Sequence, residues 1–478
     1  MGQPAAFFDL DRTLLSGGSG PVIGAALRRA GLVGRSVPGQ DLLFKLFDAI
    51  GETLPSMALA RQAVSLFKGR SQAAVVSAAN EAAVVLSGML QPFAAPLIAE
   101  HRAAGRALVL ATTTPHDLIR PFADVIGFDA VVATRYRVGA DGAYDGTIDG
   151  PFVWSLGKLG AVRSWAKDHG IDLRASWFYS DSVYDTPLLA AVGHPVVVNP
   201  DPRMSVVARL RRWPVVHLDI PPGIPKLPVV GIEPQQIALA FCRPELFPYA
   251  RWDIDGIERV PRHGPVILVA NHRSYFDVMA MAMIIARSGR PARFLGKKEV
   301  FDAPIVGAVA KAMGGIRVAR GTGSDQPLRA AADALAGGQM VALMPQGTIP
   351  RGLAFFEPEL KGRYGAARLA ALSRAPVVPV GLWGTERVWP RNARLPNVLN
   401  LTDPPTVRIR VGAPIVLAYR SMAKDTERIM SAISVLLPAE ARQRHEPTAA
   451  ELARTWPSGY KGDPRRESTR RPGADVAS

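Results

Sequence analysis

A histidine and an aspartate with the spacing of a catalytic pair follow a short apolar run in the second half of the chain. The run Val266–Ala270 leads into Asn271-His272-Arg273-Ser274-Tyr275-Phe276-Asp277. Such a run is typical of a buried strand, so we expect the heptapeptide at the edge of a sheet. A neutral imidazole there can take a proton from a hydroxyl group, and a carboxylate can hold the other ring N–H and stabilise the imidazolium. His272 and Asp277 therefore predict general-base catalysis on a substrate hydroxyl, although a buried His-Asp pair can also serve the fold alone.

Two more carboxylates follow the first apolar run of the chain. Residues 5–8 read AAFF and are followed by Asp9-Leu10-Asp11-Arg12-Thr13. Side chains two apart in an extended chain point the same way, so one carboxylate can attack a substrate while its neighbour transfers protons. Aspartates at strand ends are also common as turn residues or helix caps, so this motif alone is a weak signal.

The segments around the aspartates alternate between strand-like and helical patterns. Residues 20–100 read as mostly helical, and strand-like runs then return at 107–111, 131–133, 176–179 and 196–198. Strands separated by helical segments predict an α/β fold with a parallel sheet, here interrupted early by a helical insertion.

The first half resembles the haloacid dehalogenase superfamily of phosphatases, whose first motif is D-x-D-x-T. The later motifs of that family occur in order, as Leu108-Val-Leu-Ala-Thr112, Lys158 in SLGKLGAV, and Asp181 and Asp185 in FYSDSVYD. Serines replace both glycines of the usual GDGxxD. The resemblance implies a Rossmann-like parallel-sheet phosphatase domain with an inserted helical cap at about 16–100, as in the phosphoserine-phosphatase-like branch.

The resemblance also implies roles for these residues. Asp9 would be the nucleophile that forms an aspartyl-phosphate, and Asp11 the general acid and then the base for water. Thr112 would hydrogen-bond the phosphoryl oxygens, and Lys158 would place a positive charge beside them. The implied ligands of Mg²⁺ are Asp9, Asp11, Asp181 and Asp185. The substrate would be a phosphomonoester, with a phosphoserine-like compound as the candidate.

Residues 250–415 resemble the glycerolipid acyltransferase family, which converts lysophosphatidate and an acyl donor to phosphatidate. N-H-x4-D is the catalytic motif of that family. Arg320 best matches its phosphate-binding arginine, Pro345-Gln346-Gly347-Thr348-Ile349 corresponds to P-E-G-T-R, and VVPVG at 377–381 corresponds to its V-P-V strand. The resemblance implies an α/β acyltransferase domain.

The P-E-G-T-R block departs from the family at two positions. Gln346 stands where glutamate is usual, and it keeps an acceptor oxygen but loses the charge. Ile349 stands where arginine is usual, so we expect Arg351, with Lys361 behind it, to supply the cation for a phosphate. The implied substrate-binding residues are Asn271, Arg320, Gln346, Gly347, Thr348, Arg351 and Lys361.

The length of 478 residues is typical of two to three domains. We expect the phosphatase domain at 1–215, a linker at 216–235, the acyltransferase domain at 236–438 and a disordered basic tail at 439–478. The linker follows from six prolines in WPVVHLDIPPGIPKLPVVGIEPQQ, and the tail from a polar, Pro- and Arg-rich composition.

The net charge of +16 is concentrated in the second half. Residues 221–478 have 36 Lys and Arg against 22 Asp and Glu, whereas residues 1–220 have 21 against 19. This indicates an anionic partner such as a phosphate ester, coenzyme A or an anionic membrane surface. Nucleic acid is disfavoured because no aromatic-basic interleaving or known binding motif is present.

The location we expect is the cytoplasmic face of a membrane, with peripheral attachment. The single Cys242 excludes an intrachain disulfide, which fits a reducing compartment. The start MGQPAAFFDLDRT does not have the pattern of a secretion signal, and no run of 18 apolar residues occurs.

These features together predict a two-enzyme chain. One site would transfer an acyl group from acyl-coenzyme A or an acyl-carrier protein to 1-acylglycerol-3-phosphate, and the other would be a magnesium-dependent phosphomonoesterase. Two alternatives remain open. One is an acyltransferase for another lysophospholipid with a catalytically silent, regulatory phosphatase fold, and the other is a non-enzymatic protein that binds membrane surfaces.

Overall fold

The computed structural model describes residues 2–33, 57, 61–222, 224–227, 231–302, 306–318, 326–457 and 459. The chain forms two compact units, one of residues 1–222 with 228–231 and one of residues 223–227 with 232–478.

The first unit is built on a six-stranded parallel sheet in the order β3-β2-β1-β6-β7-β8. Its strands are β1 (Ala5–Phe8), β2 (Ala107–Thr112), β3 (Ala130–Ala133), β6 (Trp177–Ser180), β7 (His194–Val198) and β8 (Val215–Val216). A separate antiparallel pair consists of β4 (Arg135–Val138) and β5 (Tyr144–Asp149). Phe8 pairs with Leu110 of β2 and with Tyr179 of β6. Asp9 therefore leaves the carboxyl end of a central strand, where open parallel sheets bind their ligands.

Both faces of this sheet are covered, since Phe7 and Phe8 of β1 point into two different cores. The helices of the unit are α1 (Gly20–Arg29), α2 (Gln72–Ser87), α3 (Ala94–Ala103), α4 (His116–Ile126), α5 (Leu156–Asp168), α6 (Thr186–Leu189) and α7 (Pro202–Arg211). The predicted α/β class and parallel sheet are confirmed. The predicted cap at 16–100 includes α1 and α2, and its residues 34–56 and 58–60 lie outside the described part of the chain.

The second unit contains a seven-stranded mixed sheet in the order β12-β11-β13-β10-β14-β15-β9. Its strands are β9 (Arg251–Asp255), β10 (Val266–Ala270), β11 (Ala292–Lys297), β12 (Ile316–Val318), β13 (Met340–Leu343), β14 (Val377–Trp383) and β15 (Thr406–Val411). All five residues of β10 are buried. β10 is parallel to its neighbours β13 and β14, so the segments that follow the three strands meet at one edge.

Helices surround this second sheet. They are α8 (Pro234–Ala240), α9 (Asp277–Ser288), α10 (Lys298–Asp302), α11 (Val306–Ala312), α12 (Gln326–Ala336), α13 (Gly365–Ser373), α14 (Thr385–Val388), α15 (Met422–Val435) and α16 (Ala449–Arg454). Among the described helices, none has both the length and the apolar composition needed to span a bilayer.

The predicted linker at 216–235 is too long at both ends. Leu218 and Ile220 are buried in the first unit. In the second unit, the buried Glu233 forms two hydrogen bonds with the guanidinium of Arg293, at 2.5 and 3.0 Å. Gln235 is completely buried and donates to the carbonyl of Ala292. Proline content did not reveal these polar anchors.

The predicted disordered tail from residue 439 is wrong for residues 439–457. A capping box of Thr448 and Glu451 starts α16. The side chains of Leu452 and Trp456 are buried, and the Thr455 hydroxyl accepts a hydrogen bond from the Gly352 N–H. The prediction of disorder rested on the polar average composition of the segment. A six-residue helix with two apolar anchors is too short to change that average.

Candidate active sites

In the second unit, His272 and Asp277 form a hydrogen-bonded pair. The distance from His272 Nδ1 to Asp277 Oδ2 is 2.7 Å. Since a carboxylate only accepts hydrogen bonds, Nδ1 carries the proton and Nε2 presents its lone pair. Within the described ranges Nε2 has no hydrogen-bond partner, and the imidazole is 18% exposed. The geometry is that of a general base open to a substrate.

Asp277 is held in place by donors on both carboxylate oxygens. It is the first residue of α9 and is completely buried. Oδ2 also accepts the backbone N–H groups of Arg273 at 2.6 Å and Ser274 at 2.8 Å. Oδ1 accepts the hydroxyl of Thr385 at 2.5 Å. Sequence analysis missed Thr385, whose one signal was its position directly after the V-P-V strand.

Asn271 and Gln346 hold the histidine loop through bonds to the backbone, and their contact with substrate stays a prediction. Asn271 is buried, and its side-chain amide donates to the Leu382 carbonyl at 2.8 Å and accepts the Leu382 N–H at 2.7 Å. It thereby joins the end of β10 to β14. Gln346 Oε1 accepts the His272 N–H at 2.6 Å. A neutral amide oxygen fulfils this second role, so the glutamate charge usual in the family is not required there.

The chain after β13 makes a tight turn at Gly347. The Gly347 N–H donates to the Met344 carbonyl at 2.8 Å, and its φ of +68° favours glycine. Thr348 is half-buried at this turn, and the Ile349 side chain is 4% exposed. Ile349 therefore packs inward at the position where the family has its arginine.

Two arginines lie beside this block without a protein counter-charge. A guanidinium nitrogen of Arg391 donates to the Ile349 carbonyl at 2.7 Å. Burial lowers the pKa of Arg391, and the nearby charge of Arg351 lowers it further, whereas Tyr275 raises it. Arg351 is half-buried, with its guanidinium carbon 5.2 Å from the ring centre of Trp456. Within the described residues, neither guanidinium forms an ion pair with a carboxylate, so both are available to bind an anion.

Arg391 was missed by sequence analysis because it lies outside every motif. Of the other predicted phosphate ligands, Arg320 falls outside the described residues. Lys361 is well exposed, and its Nζ lies 3.6 Å from a carboxylate oxygen of Glu357. The structure therefore gives Lys361 a surface partner and no observed link to the histidine.

In the first unit, Lys158 joins two of the predicted catalytic aspartates. Its side chain is completely buried in α5, and Nζ lies 2.9 Å from Asp9 Oδ1 and 2.8 Å from Asp185 Oδ2. The Ser180 hydroxyl donates to the same oxygen of Asp185 at 2.7 Å. The two carboxylates offset the cost of burying the lysine charge at the end of β1.

Thr13 and Arg12 bring Asp181 to the same place. The Thr13 hydroxyl lies 3.0 Å from Asp181 Oδ1 and 3.3 Å from Asp9 Oδ2, and it accepts the Asp181 N–H at 2.9 Å. Arg12 Nε lies 3.2 Å from Asp181 Oδ2. Asp9, Asp181 and Asp185 thus meet through Lys158 and Thr13, as the order of the motifs predicts.

Two predicted residues have other partners in this unit. The Asp11 carboxylate accepts the backbone N–H of Ser19 at 2.6 Å. Thr112 is buried at the end of β2, and its hydroxyl accepts the Thr114 N–H at 3.2 Å. In the described residues, no group of three or more His, Cys, Asp or Glu side chains is arranged to hold a metal ion. The predicted four-aspartate ligand set is therefore not assembled in this arrangement, because Lys158 bonds Asp9 and Asp185 and the Ser19 N–H bonds Asp11.

Two of the four carboxylates are still placed to bind a hard cation. Asp9 Oδ2 and Asp181 Oδ1 both lie within hydrogen-bond distance of the single Thr13 hydroxyl. Carboxylate oxygens are the ligands that Mg²⁺ takes one or two at a time, together with water and phosphate oxygens. These two side chains fit such a site better than the set of four.

Family models match both units of the chain. Residues 6–190 match haloacid dehalogenase-like hydrolases, and residues 251–383 match the acyltransferase model. A Streptomyces azureus protein described as an inhibition of morphological differentiation protein is 32% identical over 245 residues, which are 50% of this chain and 87% of that protein. The phosphoserine phosphatase SerB1 of Mycobacterium tuberculosis is 33% identical over 215 residues, covering 44% and 70%.

A relative of the second unit is a chloroplastic 1-acyl-sn-glycerol-3-phosphate acyltransferase of Brassica napus. It is 27% identical over 195 residues, which are 40% of this chain and 53% of that protein. The chain thus spans about half the length of this relative.

Proposed function

Because the chain belongs to the haloacid dehalogenase-like hydrolase family through its first unit and has an acyltransferase domain as its second, we propose that it catalyses two reactions. The second unit would acylate a lysophosphatidate-type acceptor at a membrane surface to give a phosphatidate. The first unit would hydrolyse a phosphomonoester with the help of Mg²⁺. The proposal of acyl transfer rests on the His272–Asp277 pair. It also rests on two arginines, without a carboxylate partner in the described residues, at the block whose Gln346 bonds the His272 N–H.

Acyl transfer would begin with His272. Nε2 takes the proton of the acceptor hydroxyl as the hydroxyl oxygen attacks the thioester carbonyl carbon. The C–S bond then breaks, an ester C–O bond remains, and the imidazolium returns the proton to the thiolate. Asp277 keeps Nδ1 protonated and stabilises the imidazolium between these two steps.

The acceptor phosphate would be held by Arg351 and Arg391. Guanidinium groups match phosphate oxygens with two parallel hydrogen bonds. Arg391 takes over the role of the missing family arginine, because the Ile349 carbonyl anchors it next to the same turn. A half-buried guanidinium beside a second cation gains the most electrostatic stabilisation when a phosphate dianion binds.

Phosphomonoester hydrolysis would use the end of β1 in the first unit. Asp9 attacks the phosphorus atom, the P–O bond to the alcohol breaks, and Lys158 balances charge on the transferred group. Mg²⁺ on Asp9 and Asp181 would supply further positive charge. A phosphoserine-like substrate is supported by the phosphatase relative. Asp11 would protonate the leaving oxygen after giving up its contact with Ser19. It would then take a proton from a water molecule whose oxygen attacks the phosphorus, so that the Asp9–phosphorus bond breaks and inorganic phosphate is released.

The test of acyl transfer is thiol release from acyl-coenzyme A, measured with lysophosphatidate and with monoacylglycerol as acceptors. We expect release that depends on lysophosphatidate and is lost in His272→Ala. An Arg391→Gln variant should raise KM for lysophosphatidate more than it lowers kcat, since the phosphate is bound throughout the reaction. Equal rates with both acceptors, or a fully active His272→Ala, would contradict the proposal.

A further inference from the structure

The loop between α14 and β15 exposes an unusual number of large apolar side chains. Residues 390–402, named here the rim loop, contain Leu395 at 75% exposure, Val398 at 46%, Leu399 at 86% and Leu401 at 58%. Single exposed apolar residues are ordinary in folded proteins, but four within seven positions form a patch. The rim loop also contains Arg391 and Arg394 and no Asp or Glu.

The exposure of the rim loop results from a defined backbone. The Asn397 N–H donates to the Val388 carbonyl at 3.0 Å, and the Ala393 N–H donates to the Pro390 carbonyl at 3.0 Å. At the far end the Asn400 side chain donates to the Asp403 carbonyl at 2.8 Å. The turns therefore satisfy backbone groups internally and leave the leucines facing outward.

The rim loop begins at the edge of the His272 site. The Trp389 carbonyl, just before the loop, accepts the Ser274 hydroxyl at 2.6 Å. The Trp389 ring lies 5.6 Å from that of Tyr275, which is 45% exposed. Arg391, within the loop, is bonded to the Ile349 carbonyl. A membrane surface that contacts the rim loop would therefore lie next to the entrance of the His272 site.

We propose that the rim loop is a membrane-docking element that inserts its leucines into an anionic bilayer surface. Leucines at the boundary of headgroups and acyl chains lose contact with water, and an exposed arginine among them pairs with lipid phosphates. Residues 390–402 contain no carboxylate that an anionic surface would repel, and the exposed Asp403 that follows them lies 3.3 Å from the guanidinium of Arg251. Docking in this orientation brings the entrance of the His272 site to the lipid. This consequence rests on the proposed function, whereas vesicle binding itself does not.

Vesicle co-sedimentation of the full chain tests the docking surface. The double variant Leu395→Asn/Leu399→Asn is compared with Leu210→Asn/Val416→Asn, whose side chains are 79% and 86% exposed elsewhere. We expect the rim-loop variant to lose at least about tenfold in partition onto phosphatidylglycerol vesicles, and the control to bind like wild type. Thermal unfolding of both variants checks that the fold is kept.

A charge variant separates the apolar and electrostatic contributions. Arg394→Gln should weaken binding to phosphatidylglycerol vesicles about fivefold and leave the weak binding to phosphatidylcholine vesicles unchanged. Arg420→Gln, at another exposed position, should change neither. Wild-type binding to neither kind of vesicle, or equal binding by the leucine variant, would overturn the proposal. Self-association lost in the leucine variant, without vesicle binding, would show a protein interface and overturn it as well.

Acylation of a short-chain, monomeric lysophosphatidate distinguishes this proposal from the proposed function. The leucine variant should retain wild-type activity on that acceptor and lose activity on acceptor embedded in vesicles. Absence of wild-type activity on every acceptor, with vesicle binding intact, would refute the acyl transfer and leave the docking surface in place. Equal loss of activity by the leucine variant on both acceptors would overturn the docking role.

Discussion

The Asp277 carboxylate shows how single residues decide the chemistry of the second unit. Its four hydrogen bonds come from the His272 ring, two backbone N–H groups and the Thr385 hydroxyl. Every one of these groups donates, so the carboxylate is oriented without competing for the imidazole proton. The ring orientation thus depends on Thr385, at the start of α14, as well as on the motif.

Replacing Asp277 by Asn should abolish most of the acyl transfer while keeping the fold. The amide can keep two of the hydrogen bonds, but it cannot stabilise the imidazolium or fix the tautomer. We expect kcat to fall about 10³- to 10⁴-fold, as for the equivalent change in a Ser-His-Asp triad. The measurement is steady-state thiol release, with thermal unfolding as the control for folding. A variant within about tenfold of wild type would show that the pair has a structural role alone.

Gln346 allows a second residue-scale prediction. Its amide oxygen accepts the His272 N–H, and a carboxylate oxygen can do the same. Gln346→Glu should therefore retain kcat within a few-fold. Gln346→Met should destabilise the second unit by about 1–3 kcal/mol, because it leaves a largely buried N–H without a partner. Urea unfolding and thiol release check the two variants, and the reverse order of activities would contradict the assigned role.

At this scale the sequence motifs predicted which residues meet, but not every role of those residues. Asp9, Lys158, Asp181 and Asp185 come together from three separate segments, as the order of motifs predicted. Asn271 and Gln346 were assigned to substrate because a motif records position and residue type. It does not record that both side chains are occupied by backbone groups across the sheet. Arg391 was out of reach because only the fold brings it to Ile349.

At the scale of elements, α3 and β6 place a titratable cluster beneath the end of β1. His101 of α3 is buried, its Nε2 lies 2.7 Å from the Tyr179 hydroxyl, and Arg106 lies 2.9 Å from its Nδ1. Since arginine only donates, Nδ1 accepts and the ring is held neutral. Burial, and then the charge of Arg106, lowers the pKa of His101 from 6.5 to about 4. The Tyr179 carbonyl accepts the Asp9 N–H, so this cluster supports the candidate nucleophile.

The first unit should lose stability as the pH falls from 6.5 to 4. In that window the unfolded chain binds a proton at residue 101 that the folded chain does not, so the free energy of unfolding decreases. The total effect is about 2–3 kcal/mol, and above pH 6.5 this contribution is constant. We expect His101→Gln to remove that part of the pH dependence. The measurement is the free energy of urea unfolding as a function of pH, monitored by hydrogen exchange of the β1 and β6 amides. A pH slope in His101→Gln equal to that of wild type would refute the assignment.

The strands that hold the sites were predictable because they are short, apolar and followed by polar motifs. Residues 107–111 became β2 with one more residue, and the run before Asn271 became β10. The end of the chain was not predictable in the same way. The capping box at Thr448 and the burial of Trp456 are local features whose stabilisation depends on tertiary contacts with the segment at Gly352.

At the scale of the whole molecule, two enzyme folds with different charge share one chain. The excess of 14 positive charges in residues 221–478 accompanies the half that has the unpaired arginines and the rim loop. In the nearly neutral first half, Lys158 and Arg12 pair with the candidate catalytic carboxylates. Charge distribution therefore follows the proposed substrates, a lipid phosphate at an anionic surface in one unit and a phosphomonoester in the other.

The most direct test of the account assays Asp9→Asn and His272→Ala for both reactions in the full chain. Thiol release from acyl-coenzyme A with lysophosphatidate reports one site, and phosphate release from phosphoserine with Mg²⁺ reports the other. We predict that His272→Ala loses thiol release and keeps phosphate release, and that Asp9→Asn does the reverse. The account of two catalytic centres would be contradicted if wild type released no phosphate from any monoester, or if His272→Ala still released thiol at the wild-type rate.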